Sequence, residues 1–238
     1  MRGWGWDVEV WTDDPATFID HLDYPGMEVP RSQVVGVIGR PPGSTGSRLI
    51  LGHTDVVPSG PVPQIDGDRV IGRGSVDMKA GLIAGMFAAL EVGADVAVCA
   101  VSGEEDGGIG AFLALQHGLT AQQCVIPEPT SLTIMPANAG SLTFRISLPG
   151  VAAHGARRWD GHNALEGVPD VLARLRELET ARNTDVPEVL NSWPIAYPIS
   201  VGRIVGGDWP STVMSLVALE GRYGVRLGES IPDAMAAF

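Results

Sequence analysis

The chain has little positive charge and no long apolar run. Lys79 is the only lysine among 238 residues, and 16 basic residues against 28 acidic ones give a formal net charge of −12. Such a surface repels phosphate backbones, which argues against nucleic-acid binding. The longest apolar stretch, residues 81–90, is about half of the roughly 20 residues that a membrane span needs. The acidic amino terminus does not resemble a signal peptide. We therefore expect a cytoplasmic protein without a membrane span.

Cysteine and several catalytic motifs are scarce or missing as well. Cys99 and Cys124 are the only cysteines, and their spacing fits neither a zinc motif nor a redox motif, which favours buried free thiols. The sequence contains no P-loop and no dinucleotide-binding fingerprint. It also lacks the Gly-x-Ser-x-Gly turn that carries the nucleophile of many serine hydrolases. These absences exclude several common enzyme classes.

Short apolar runs alternate with stretches of helical periodicity, which predicts an α/β fold. A change in the sequence pattern near Ala137 predicts two domains, residues 1–137 and 138–238. In the first we expect strands at 48–52, 95–101 and 123–126, helices at 77–92 and 109–117, and a loop at 58–74. In the second we expect strands at 141–148, 199–205 and 212–225, an amphipathic helix at 161–182, and a helix that opens at 233–238. The expected fold class is α/β: a mixed, mostly parallel sheet flanked by helices, plus a smaller α+β domain.

Acidic residues and one histidine collect where the expected strands of the first domain end. Ligands of open α/β sheets bind beyond the carboxyl ends of the strands. Carboxylates that converge there repel one another unless cations neutralise them. The sequence therefore predicts a metal site, and its candidate residues are His53, Asp55, Asp77, Glu104, Glu105 and Glu128.

The residue types suggest roles within that site. Oxygen ligands with one nitrogen suit zinc, cobalt or manganese, and a shared carboxylate suits two metals. Asp55 could accept the second N–H of the His53 ring and so fix its tautomer. Glu104 and Glu105 point in different directions if extended, so that one can bind metal while the other handles a proton.

Each candidate also has a plain structural explanation. His53 could be a satisfied histidine at a strand end, and Asp77 could be a helix N-cap. Glu104 and Glu105 could belong to a solvated turn, and Glu128 could merely decorate a loop between two prolines. Because the candidates recur at successive strand ends, the metal site is the stronger interpretation.

Four ordered motifs resemble a known family of zinc metallopeptidases, the one that includes aminoacylase, acetylornithine deacetylase, succinyl-diaminopimelate desuccinylase and carboxypeptidase G. The motifs are residues 51–58 (LGHTDVVP), 72–81 (GRGSVDMKAG), 102–106 (SGEED) and 127–130 (PEPT). Residues 151–155 (VAAHG) and 161–164 (GHNA) resemble the family's lid, or dimerisation, domain. The resemblance covers most of the chain, from about Gly5 onward.

The resemblance implies a site with two zinc ions. One zinc would be held by His53 and Glu128 and the other by Glu105, with Asp77 as the bridge. The general base would be Glu104, which takes a proton from water and passes it to the leaving amine.

The resemblance also assigns residues outside the metal ligands. Asp55 would orient His53, and His154 would stabilise the oxyanion in a partner subunit's site, implying a homodimer through the lid. From the residues alone, His154 could equally be a loop histidine. Asn163 and Arg203 are weaker candidates for holding a substrate carboxylate, and Arg203 could as easily be a cross-strand ion-pair partner.

The sequence departs from the family in one respect that bears on function. The family completes its second metal with a histidine near the carboxyl terminus, but His21, His117 and His162 match no such motif. The opening helix that usually precedes residues 5–9 in the family is missing as well, so we expect a chain truncated at both ends. The expected function is metal-dependent hydrolysis of N-acyl amino acids or small peptides. One alternative is an incomplete remnant that binds metal or dimerises, and another is a carbohydrate-binding or cation-binding module without chemistry.

Overall fold

The computed structural model describes residues 1–27, 29–92 and 95–238. They form two compact units, Met1–Ile134 and Met135–Phe238, so the division falls between residues 134 and 135. The sequence-based boundary lies between residues 137 and 138. None of the described helices is long and apolar enough to span a membrane.

The first unit is built on a five-stranded mixed sheet of order β1-β2-β6-β3-β7. Its strands are β1 (Asp7–Asp13), β2 (Val34–Arg40), β3 (Arg48–His53), β6 (Val96–Val101) and β7 (Gln123–Val125). A separate hairpin consists of β4 (Gln64–Asp66) and β5 (Arg69–Ile71), and the helices are α1 (Ala80–Val92) and α2 (Ile109–Gln116). β2 is antiparallel to both of its neighbours, whereas β3 is parallel to β6 and β7. Four of the five strands therefore run in one direction, as the predicted fold class requires.

Helices cover both faces of this sheet. Side chains alternate along a strand, so β6 packs against a helix on each face. Val98 faces one side and packs in a cluster with Leu82 of α1. Val101 faces the other side and packs in a cluster with Ala114 of α2. This arrangement is the predicted sheet flanked by helices.

Some predicted boundaries in the first unit were wrong. The residues 77–79, assigned to a helix, lie in an irregular turn (Ser75–Lys79), and α1 begins at Ala80. The expected loop 58–74 contains the β4–β5 hairpin, and β1 and β2 were not assigned at all.

Helix α1 approaches the segment after β7 very closely. A Cβ atom on Gly81 would lie 1.9 Å from the carbonyl oxygen of Pro127. A larger side chain at this position would push the two backbones apart, so glycine allows α1 to lie this close to Pro127, the residue before Glu128.

The second unit is a three-stranded antiparallel sheet of order β8-β10-β9 with two helices. Its elements are β8 (Gly140–Pro149), α3 (Val168–Arg182), β9 (Ile199–Gly206), β10 (Leu216–Val225) and α4 (Ile231–Ala237). The expected helix 161–182 starts too early, because residues 164–167 form a 3-10 turn capped by the side chain of Asn163. The expected strand 212–225 likewise begins only at Leu216.

A buried arginine ties α3 to the end of β10. Arg182 is 4% exposed, and its guanidinium lies 4.4 Å above the ring centre of Tyr223. It donates to the Gly224 carbonyl at 3.1 Å and binds the Glu229 carboxylate through both Nη atoms. This hydrogen bond from Arg182 holds the pKa of Glu229 below its usual value.

Candidate metal centre

His53 is the centre of the site and lies at the carboxyl end of β3. Because β3 runs parallel to β6 and β7 on its two sides, the segments that follow all three strands emerge at one edge of the sheet. The imidazole is 1% exposed. Its Nδ1 atom lies 3.1 Å from the backbone oxygen of Asp55, and its Nε2 atom lies 3.2 Å from Oδ1 of Asp77. Hydrogen bonds on both nitrogens fix the orientation of the ring.

Two further carboxylates approach the same nitrogen. The Nε2 atom of His53 lies 3.7 Å from Oε1 of Glu128 and 3.8 Å from Oε2 of Glu104. Glu105 belongs to the cluster as well, because one ligand atom each from His53, Asp77 and Glu105 lie within 4.8 Å of one another. The structure thus brings together all the metal-ligand candidates and the candidate base.

Asp77 reaches His53 from the irregular turn that precedes α1. Its backbone angles (φ −108°, ψ 105°) are extended rather than helical. The next residue, Met78, is fully buried, and its sulfur accepts a hydrogen bond from the His53 amide at 3.2 Å. The buried methionine anchors the turn, and the Asp77 side chain points at the imidazole.

Asp55 holds the turn that carries the two glutamates. Its carboxylate accepts hydrogen bonds from the backbone N–H groups of Glu104 at 3.2 Å and Glu105 at 3.1 Å. The same carboxylate lies 3.6 Å from Nδ1 of His53, farther than the backbone oxygen of Asp55 itself. The sequence suggested Asp55 as the partner of the second ring nitrogen, and the structure places its backbone oxygen there, closer than its carboxylate. The link to the glutamate turn was missed, because the sequence carries no signal for it.

The clustered carboxylates perturb one another's ionisation. Partial burial raises the pKa of Glu128 to about 7, and Asp77 and Glu104 reinforce this rise while His53 opposes it. Partial burial also raises the pKa of Glu104. Burial lowers the pKa of His53, but the surrounding carboxylates outweigh it and the net shift is upward. A cation bound in this cluster would replace these protons and neutralise the repulsion between the carboxylates.

The donor set fits a divalent metal ion. One imidazole nitrogen and several carboxylate oxygens match the ligands of zinc, cobalt and manganese. A cavity of about 280 Å³ adjoins the cluster and is lined by Asp77 and Glu105 together with Val57, Pro61 and Arg73. The arrangement can therefore hold a cation next to space for a small ligand.

The remaining candidates lie in the second unit. His154 is exposed, and its Nδ1 atom accepts a hydrogen bond from the Ala156 amide at 3.1 Å. Arg203 forms an ion pair with Glu220 at 2.6 Å across β9 and β10, which is the cross-strand pairing considered from the sequence.

The other histidines contact residues outside the metal cluster. His117 contacts Asp13 at 2.7 Å through Nε2, and Nδ1 of His21 accepts from the Asp23 amide at 3.1 Å. His162 forms a backbone bridge with Val151. In the part of the chain that the structure describes, the metal cluster includes no histidine besides His53.

The first unit thus combines a mixed sheet with a carboxylate-rich candidate metal centre at one edge. A model of peptidase family M20/M25/M40 matches residues 49–225, and the chain belongs to that family. A probable carboxypeptidase of Paracoccidioides lutzii is 30% identical over 78% of this chain and 46% of its own length. One from Aspergillus oryzae is 27% identical over 91% of this chain and 55% of its own length. The chain spans about half the length of these curated relatives.

Solved structures agree on the fold. The di-peptidase Dug1p from Saccharomyces cerevisiae matches with a TM-score of 0.65 at 14% identity, over 99% of this chain and 64% of that one. Human carnosine dipeptidase 1 matches with a TM-score of 0.61 at 15% identity, again over 99% and 64%. A metallo-carboxypeptidase of the M20 family from Sulfolobus solfataricus gives a TM-score of 0.57 at 14% identity, over 87% and 63%.

Proposed function

We propose that this chain carries the catalytic centre of a hydrolase that cleaves the amide bond of N-acyl amino acids or small peptides with the help of two zinc ions. The convergence of carboxylates on the buried His53 is the observation that carries the proposal. Relatives named as probable carboxypeptidases support a peptide-like substrate.

The resemblance to the family supports the proposed ligands. His53 and Glu128 would hold one zinc ion, Glu105 would hold the other, and Asp77 would contribute to both. When bound, such ions polarise an amide carbonyl and make water a better nucleophile. Cobalt and manganese suit the same donor atoms, so the choice of zinc as the native metal is itself part of the proposal.

Glu104 is the proposed general base. Its raised pKa makes its carboxylate a better proton acceptor than an ordinary glutamate. It takes a proton from the attacking water and returns it to the nitrogen of the leaving amine. Asp55 positions Glu104 by accepting a hydrogen bond from its amide, and it orients His53 through its backbone oxygen.

Metal content and turnover test this mechanism together. By elemental analysis we expect one tightly bound zinc ion per chain and a second that binds more weakly, because the described cluster has no second histidine. Glu104→Gln should lower kcat by roughly 10²- to 10⁴-fold while metal content is unchanged. Asp77→Asn is the matched variant that should lower metal content as well.

Two results would change the proposal. If Glu104→Gln leaves hydrolysis intact, the assignment of the base is wrong. Full metal binding without turnover by the wild-type chain would favour the alternative, an incomplete form that binds metal and dimerises.

The proposed protein is a cytoplasmic homodimer formed through the second unit. Its strand β9 lies at an edge of the sheet and exposes Ile204 and Val205, which supports pairing with a second copy. In such a dimer, His154 would stabilise the oxyanion at the partner's site. Cys99 is buried as expected, whereas Cys124 is exposed; both are free thiols, which supports a reducing compartment. Sedimentation equilibrium tests the dimer, and a monomer at micromolar concentration would contradict it.

A further inference from the structure

The segment that precedes β2 lies beside the turn that carries the two glutamates (residues 103–108, the glutamate turn). β2 is antiparallel to β6, so β2 begins at the edge of the sheet where β6 ends. Ser102 closes this junction, because its amide donates to the Val35 carbonyl and its hydroxyl oxygen accepts from the Val35 amide, each at 2.9 Å. Residues just before β2 therefore reach the same edge of the sheet as the metal cluster.

Asp106 ties the glutamate turn to that segment. Its side chain is buried, and its two carboxylate oxygens accept hydrogen bonds from the Val29 amide at 3.2 Å and from Nε of Arg31 at 2.6 Å. The two backbones also lie close together, because a Cβ atom on Gly107 would lie 3.3 Å from the Gly26 carbonyl oxygen. A carboxylate that stays buried after its cation is removed is strongly destabilised. Arg31 therefore holds Asp106 in one place.

The segment that supplies Arg31 is itself anchored to the core. The ring centres of Tyr24 and Phe112, which belongs to α2, lie 6.0 Å apart in an edge-on arrangement. Met27 packs against the buried cluster that includes Val34 at the start of β2. The chain is thus fixed before and after Arg31. A guanidinium on such a fixed segment can hold its partner precisely.

The two glutamates lie between this attachment and a second one. Asp55, which follows β3, accepts hydrogen bonds from the amides of Glu104 and Glu105. Asp106, the next residue along the chain, is held by Arg31. The backbone that carries both glutamates is therefore held by two different segments. Loss of one attachment would let the turn shift, and a shift of about 1 Å is enough to impair a catalytic group.

We infer that Arg31 is a positioning residue for the site: through Asp106 it keeps Glu105 where it can bind a metal ion and Glu104 where it can accept a proton. This inference rests on the proposed hydrolase function. Arg31 and Asp106 are 75 positions apart in the sequence, and neither is a proposed metal ligand. Partners of this kind, which orient a ligand without binding the metal, typically contribute roughly 10- to 100-fold in metal affinity.

Zinc titration of the metal-free chain tests the inference without turnover. By calorimetry, Arg31→Ala should weaken binding of the second, weaker zinc ion about 10- to 100-fold, because Glu105 is a proposed ligand of that ion. The affinity for the tighter ion, at His53 and Glu128, should change less than about threefold. Arg31→Lys should recover part of the loss, because lysine keeps a positive charge beside Asp106. A general loss of structure would weaken both ions alike.

Amide hydrogen exchange reports the glutamate turn directly. In metal-free Arg31→Ala, the amides of Glu104 and Glu105 should exchange about tenfold faster or more, because a turn released at one side opens more often. The amide of Leu113, which is fully buried within α2, should exchange as in the wild type.

Arg40→Ala is the matched control. It breaks an ion pair with Glu9 at 3.5 Å. Arg40 ends β2 and so lies at the opposite edge of the sheet from the metal cluster. Zinc affinity and exchange at the two glutamates should be those of the wild type. Circular dichroism checks that each variant folds, and if Arg31→Ala does not, Arg31→Gln and Arg31→Lys are judged by the same two measurements.

Each outcome decides the matter. Unchanged exchange at Glu104 and Glu105, equal weakening of both zinc ions, or unchanged zinc binding despite faster exchange would overturn the role of Arg31. A wild-type chain that binds only one zinc ion would refute the two-zinc function, and Arg31 would then keep its role only if Arg31→Ala weakens that ion about tenfold or more. Selective effects of Arg31→Ala in a chain that hydrolyses nothing would refute the proposed hydrolase and support the positioning role.

Discussion

Metal binding should release protons from the cluster, and the number released should fall between pH 6 and pH 8. Partial burial raises the pKa of Glu128 to about 7 in the metal-free chain. A metal ligand must be deprotonated, so a cation that binds this carboxyl displaces the proton that it holds. His53, whose pKa is also raised, adds to the release in the same direction.

The magnitude follows from the titration of Glu128. A carboxyl with a pKa of about 7 is about nine-tenths protonated at pH 6 and about one-tenth protonated at pH 8. This residue alone should therefore release about 0.8 proton more at pH 6 than at pH 8. Calorimetric titration of Zn²⁺ into the metal-free chain, in buffers with different ionisation enthalpies, gives the number of protons.

Two variants make the result specific. Glu128→Gln should remove about 0.8 proton from the difference between pH 6 and pH 8. Glu91→Gln, which changes an exposed carboxylate on α1, should leave the difference as it is in the wild type. A wild-type proton count that is the same at both pH values would refute the reasoning, and so would a Glu128→Gln variant with the wild-type difference.

Two further predictions concern the packing of each unit. Gly81→Ala should destabilise the chain by about 1–3 kcal/mol, despite the better helix propensity of alanine, and should weaken metal binding, because its Cβ meets the Pro127 carbonyl. Gly3→Ala, which meets nothing within 4 Å, is the control, and equal urea midpoints for the two variants would contradict the packing argument. Arg182→Ala should cost about 3–5 kcal/mol in urea unfolding, because it leaves a carboxylate without its buried partner. Arg174→Ala breaks an exposed ion pair and should cost less than about 0.5 kcal/mol, so similar losses would show that burial does not matter here.

The parts of the fold that the sequence predicts well are those with strong local patterns. The apolar runs of β3 and β6 and the alternation of β8 gave their strands within one or two residues. The first strand alternates polar and apolar residues only over residues 7–10, which is too short a pattern to assign, and its burial does not follow that alternation. β2 contains glycines, and one of them is required by a tertiary contact. A Cβ on Gly36 would lie 2.1 Å from the ring of Trp11 on the paired strand, so its place depends on a contact that no local pattern reveals.

The site shows the same limit at the level of single residues. Residue types at strand ends were enough to predict which side chains gather around His53. They were not enough to predict that Asp77 leaves the helical path, because apolar periodicity runs on through residues whose conformation is set by the buried Met78. The hydrogen bonds from Glu104 and Glu105 to Asp55 were equally out of reach, because they join loops 49 and 50 positions apart.

The short edge strand β7 gives the metal site a further consequence. β7 pairs with β3 through only three residues, all of them exposed, yet the segment that follows it supplies Glu128. Such a rim is expected to open often, in local fluctuations that leave the rest of the sheet intact. A cation shared between Glu128 and the buried His53 would bind only the closed form and so would lower the frequency of opening as its concentration rises. Amide hydrogen exchange in β7 would then report metal occupancy at His53.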